Sequence, residues 1–159
     1  MRLVLNWDNI MDNEIILEIT EDIVKEYEED VYFQKYPKRK KKPIEKPFPP
    51  SLNKFIIWKR PQQNAIKQVW KEFMQYIAFD YTNLEIDSCE IHFHFIFHDK
   101  RRRDLDNYLS TSAKLIIDGL TKEDGNNMII DDSYNIIKKI SASAEYQKGI
   151  NKTIITIKY

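Results

Sequence analysis

Glycine is scarce in this chain: Gly119, Gly125 and Gly149 are the only three among 159 residues. A nucleotide-phosphate cradle, a dinucleotide-binding turn and a nucleophile elbow all need closely spaced glycines, and that spacing is missing. A nucleotide cofactor is therefore not expected. Cysteine is scarcer still. Cys89 stands alone, so neither an intrachain disulfide nor a thiolate zinc site can be built. No apolar run approaches the ~18–20 residues that span a bilayer, and the N-terminus lacks the apolar stretch of a signal peptide. The expectation is a soluble, cytoplasmic protein with no membrane partner.

Net charge is also missing, at zero overall, but the two signs are strongly segregated. Residues 1–34 hold ten acids against Arg2 and Lys25. Residues 35–46, KYPKRKKKPIEK, hold seven bases against Glu45, and a second basic cluster runs from Lys100 to Arg103. Local charge, not the average, therefore points to partners.

Hydrophobic residues make up 42% of the chain, enough for one globular domain with a sizeable core. NEIILEIT reads as a short strand, and Thr20 as the N-cap of a helix that opens with Glu21 and Asp22. On that helix Ile23, Val24, Tyr27 and Val31 share one face, which suggests an added helix that packs weakly or meets a partner. The lysine run, broken by Pro37, Pro43 and Pro47, reads as an exposed linker. FPPSLNKF is a turn signal.

Over residues 61–79 the spacing of Ile66, Val69, Trp70, Phe73 and Ile77 predicts a helix with one buried face. SCEIHFHFIFHD alternates as a strand, with Cys89, Ile91, Phe93, Phe95 and Phe97 on one side and Glu90, His92, His94 and His98 on the other. The histidines read as a solvent-facing or interface stripe. A second helix follows with Leu105, Leu109, Ala113, Ile116 and Leu120 as its stripe, then three short strands in MIID, NIIKKISASA and KTIITIKY. The sum is an α+β fold, a mostly antiparallel mixed sheet with two main helices on one face and an N-terminal helical extension.

Two acidic pairs carry the chemistry. Asp104 and Asp106 fall at or just before the start of the second helix, and on extended chain residues two apart project to the same side. Carboxylates converging there repel one another unless a hard divalent cation relieves them. The plain alternative is that acids at a helix N-terminus stabilise it. Asp131 and Asp132 end an apolar run, which puts a second acidic point at the rim of the sheet.

Read together, RRRDLDN, IDGLTK and MIIDDSYNI resemble the RusA family of Holliday-junction resolvases, endonucleases of bacteria and their phages. The upstream PPSLN matches as well, so the resemblance spans about 48–159 and leaves 1–47 as an extension. It implies a Mg²⁺-dependent endodeoxyribonuclease, with Mn²⁺ as a possible substitute, that acts as a homodimer on four-way DNA junctions in recombination and repair. The ligands it implies are Asp104, Asp106 and Asp132, with Asp131 and Asn107 in support. Lys100, Arg101, Arg102 and Arg103, together with Asn53 and Lys54, would hold the DNA backbone. The family's lysine four residues after the second Asp is Ser110 here, and Lys114, one turn further on, is the candidate replacement. Two alternatives follow: a branched-DNA-binding protein with little or no cleavage, and a nuclease preferring other branches such as flaps.

Overall fold

The computed structural model describes residues 13–159. Residues 1–12 of the extension, with Arg2, Asp8 and Asp12, lie outside the described residues. The first strand, β1 (Glu14–Thr20), turns Ile15, Leu17 and Ile19 inward and Glu14, Ile16 and Glu18 outward. Thr20 ends it as expected: its hydroxyl accepts the Ile23 N–H at 3.2 Å and caps α1 (Glu21–Tyr27). A π-helical turn (Glu28–Tyr32) and the short α2 (Phe33–Lys35) continue from it.

The weak packing expected of this helix is not found. Tyr27 is 1% exposed, and its ring lies 5.1 Å from Phe73 and 5.3 Å from Tyr76. Val24, Tyr27 and Tyr32 belong to the same hydrophobic cluster as the sheet. The segment from 36 to 50 has no helix or strand but is anchored: Ile44 is buried, and the Thr153 hydroxyl donates to the Pro47 carbonyl at 2.6 Å.

Ser51 accepts the Lys54 N–H and starts α3 (Leu52–Ile56), which leads into α4 (Arg60–Ile77). Three further elements carry the sheet and its cover: β2 (Cys89–Phe97), α5 (Leu105–Asp118) and β3 (Ile137–Tyr146). The last strand is β4 (Lys152–Lys158). Among the described residues the sheet is four-stranded in the order β1-β4-β2-β3, antiparallel at β1–β4 and β4–β2 and parallel at β2–β3. This is the α+β class the sequence predicts. Because β2 and β3 are parallel, α5 has to run back along the sheet between them.

Alternation along β2 puts Ile91, Phe93 and Phe95 in the core, where Trp70, Phe73 and Met74 of α4 join the same cluster. The two main helices approach closely where α5 ends. A Cβ added at Gly119 would come within 2.6 Å of the Met74 Cβ, so glycine is what lets the helices meet.

Two further expectations are corrected. MIID forms no strand; Ile129 makes only isolated bridges to Ile86 and Thr121. The Asn126 side chain donates to the Ala78 carbonyl and accepts the Met128 N–H, which buries Met128 without a ladder. On α5, Leu105 is exposed and the buried face centres on Ser112, Leu115 and Ile116. Tyr108 takes the contact at that end, with its ring 5.9 Å from Phe95 and 5.2 Å from Phe97. Among the described residues no helix is long and apolar enough to cross a membrane.

Candidate nucleic-acid interface and acidic sites

The irregular segment 41–50, α3, α4 and the loop after β2 enclose a cleft of about 700 Å³. Lys41, Lys42 and Lys46 line it from the first basic cluster, Arg101, Arg102 and Arg103 from the second, and Lys54 from α3. Against these seven bases stand Glu45, Asp99 and Asp104. The two clusters, some sixty residues apart in sequence, thus face one space. Its walls also carry Phe48, Trp58 and Tyr108, so the cleft combines cations with aromatic rings, which suits a nucleic acid's phosphates and bases.

The cations are not equivalent. Arg103 donates to the Asp99 carboxylate at 2.6 Å, lies 4.4 Å over the Phe97 ring and keeps only 14% of its side chain exposed. It holds the loop and is not free to meet a phosphate. Asp99 also accepts the Arg101 N–H at 3.0 Å and lies 3.3 Å from His98 Nε2. His98 is fixed from behind: Asn151 Oδ1 lies 3.0 Å from its Nδ1, and the Asn151 amide donates to Glu21. Arg101 and Arg102 remain exposed to solvent. Lys54 pairs with Glu45 at 2.8 Å, Asn53 lines the cleft, and Lys100 lies 5.2 Å over Tyr146, outside the lining.

Asp99 is a positioning residue that sequence reasoning missed, although its spacing of four from Arg103 was legible. The Arg103 hydrogen bond, then the Arg101 N–H, pull its carboxyl from 3.8 down to about 2. A lowered carboxyl pKa favours folding above the ordinary value, and that contribution disappears as pH falls toward the lowered one. Asp99→Asn is expected to flatten the loss of stability between pH 3.8 and about 2, read from melting temperature against pH. An unchanged acid limb would refute the pairing.

Asp104 occupies the N-cap position of α5, extended (φ −87°, ψ 116°), with an exposed carboxylate that lines the cleft. Asp106 is exposed in the first helical turn. The same-side argument for the two does not apply, because the helix already begins at Leu105. Asn107 lines the cleft and its N–H bonds the Asp104 carbonyl at 3.2 Å. Ser110 turns back on its own helix and donates to the Asp106 carbonyl at 2.9 Å.

The second acidic group sits at the other end of α5. Asp131 and Asp132 are exposed, and Asp131 accepts the Asp132 N–H at 2.9 Å. A hydrogen bond from the Ser133 hydroxyl, foremost, lowers the Asp131 carboxyl. Asp118, the last residue of α5, has its carboxyl raised by burial first and then by the charges of Asp124 and Asp132, against Lys114 and Lys67. Asp118 is a second residue that sequence reasoning passed over. Lys114 therefore belongs electrostatically with Asp118. At 1.5 Å per residue, α5 separates its two ends by about 21 Å. One chain does not bring Asp104, Asp106 and Asp132 together, and among the described residues no three His, Cys, Asp or Glu side chains are disposed to hold a metal ion.

His92 and His94 are tied into a ladder on the open face of the sheet. Ser141 and Ser143 lie 2.7 Å from the two nitrogens of His92, and Ser143 and Glu145 flank those of His94. No family model matches this chain, and no curated protein matches it.

Proposed function

We propose that the protein is a Mg²⁺-dependent, structure-selective endonuclease that resolves four-way DNA junctions as a homodimer. The observation that carries this reading is the cleft, where two separate basic clusters converge with Asp104 on the lining. Exposed Arg101, Arg102, Lys41 and Lys42 neutralise phosphates and draw the polyanion toward carboxylates that would otherwise repel it. Asp99 keeps the arginine loop in place by holding Arg103.

Dimerisation explains why the acids lie apart. Among the described residues β3 is an edge strand, paired only with β2, and both Ile140 (39% exposed) and Tyr146 (42% exposed) reach solvent. Its sequence is self-complementary about Ala142. An antiparallel copy in that register sets Lys139 opposite Glu145, Ser141 opposite Ser143 and Ile140 opposite Ala144. Such a two-fold pair turns the start of β3 in one copy toward the end of β2 in the other. Asp132 of one copy then approaches Asp104 and Asp106 of its partner.

Within one chain the carboxylates do not fit a metal ion; shared between two copies they offer the hard oxygen donors that Mg²⁺ or Mn²⁺ takes. The ion, when bound, supplies charge to the scissile phosphate and lowers the pKa of a water. A second reading, junction binding without cleavage, is favoured by Ser110 alone, a neutral hydroxyl that donates to the Asp106 carbonyl where the resemblance implies a lysine.

The test is cleavage of a labelled four-way junction in Mg²⁺, beside a matched linear duplex and a flap. Symmetric nicks confined to the junction are expected. Equal cutting of the flap would favour the broader nuclease, and tight binding without nicks the binding protein.

A further inference from the structure

The turn that joins α3 to α4 exposes two large aliphatic side chains in succession, Ile56 at 59% and Ile57 at 78%. Their neighbours in sequence are Lys54, Lys59 and Arg60, all exposed, and Lys54 and Trp58 line the basic cleft. Lys59 and Arg60 have no carboxylate within ion-pair distance among the described residues. An apolar tip flanked by these two unpaired cations, with Lys54 held by Glu45 beside it, matches a ligand whose apolar faces lie between phosphates, and a nucleic acid's base stack has that character.

The turn is also rigid. Phe55 is buried, the Trp58 N–H bonds the Phe55 carbonyl at 3.3 Å, and the Trp58 ring packs against Phe55. From α4, the Gln63 side-chain amide donates to both the Phe55 carbonyl at 3.1 Å and the Trp58 carbonyl at 3.2 Å. This clamp brackets positions 56 and 57. Their presentation is fixed before any ligand arrives, so little ordering remains to oppose insertion.

We propose that Ile56 and Ile57 form a preorganised apolar wedge that enters the base stack at the branch point of DNA held in the adjacent cleft. The proposal rests on the reading of that cleft as a branched-DNA site. It assigns structure selectivity to the turn: bases at a branch are already partly unstacked, so the wedge enters there at lower cost than in continuous duplex.

The experiment uses the full chain with a four-way junction carrying 2-aminopurine at the branch point, and the same probe in linear duplex. Wild type is expected to raise the probe's fluorescence several-fold on the junction and little on the duplex. Ile57→Ala is expected to lose most of that rise while still binding the junction and melting at the wild-type temperature, because the side chain is exposed. Ile57→Leu keeps the rise, and Gln63→Ala, which frees the turn, reduces it. A full rise with Ile57→Ala overturns the wedge. So does a change in oligomeric state with that variant, which would give the surface to a second copy. Junction binding by wild type with no rise sinks the wedge alone, whereas no binding at all sinks the branched-DNA reading beneath it.

Discussion

Asp106→Asn is expected to abolish junction cleavage, by on the order of 10³-fold or more, while binding is retained or strengthened. The substitution removes a proposed metal ligand and a negative charge from the approach to the phosphates, so binding and chemistry should move in opposite directions. The fold should survive. Asp106 is exposed in the first turn of α5, where its favourable interaction with the helix dipole is worth only ~0.3–1 kcal/mol. Cleavage is measured on a labelled junction, binding by gel shift without metal. Loss of binding in a folded Asp106→Asn protein would count against the assigned role.

Tyr27→Ala is expected to cost about 3–5 kcal/mol, read from urea denaturation. Tyr27 lies in the segment that the family resemblance does not cover, and its place in the core is what makes the effect large. Its ring packs against Phe73 and Tyr76, it is 1% exposed, and burial raises its hydroxyl pKa. Against a typical stability of ~5–15 kcal/mol, such a loss brings the protein close to unfolding. A change below about 1 kcal/mol would mean that α1 is the loosely attached helix its sequence suggests.

Much of the architecture is legible from periodicity. The alternation in β2 and the Thr20 cap have local causes, and the structure has both. On α5, Leu105 looks in sequence like the head of an apolar stripe, yet it is exposed. Tyr108 takes that contact instead, through rings contributed by Phe95 and Phe97 on a distant strand. The packing of α1 is hidden for a similar reason: nothing in EDIVKEYEEDVY announces that Phe73 and Tyr76 lie across from Tyr27.

At the candidate site the residue types were legible and their distribution was not. Charge runs reveal two basic clusters, but only the fold joins them across one cleft. Spacing reveals two acidic pairs, but the parallel β2–β3 pairing sends α5 the length of the sheet and leaves the pairs at its opposite ends. The pin formed by Asp99 and Arg103 was visible as a spacing of four, yet its role depends on Phe97 and His98 beside it.

The most direct test of a site shared between two copies is complementation. Asp106→Asn and Asp132→Asn proteins are each inactive on the proposed account. Mixed under conditions that exchange subunits, they form dimers in which one of the two sites has both its wild-type Asp106 and its wild-type Asp132. Nicking of a four-way junction should then return to about a quarter of the wild-type rate, as single nicks without their symmetric partner. A mixture as inactive as either variant alone, with subunit exchange verified, would contradict a site built from two copies.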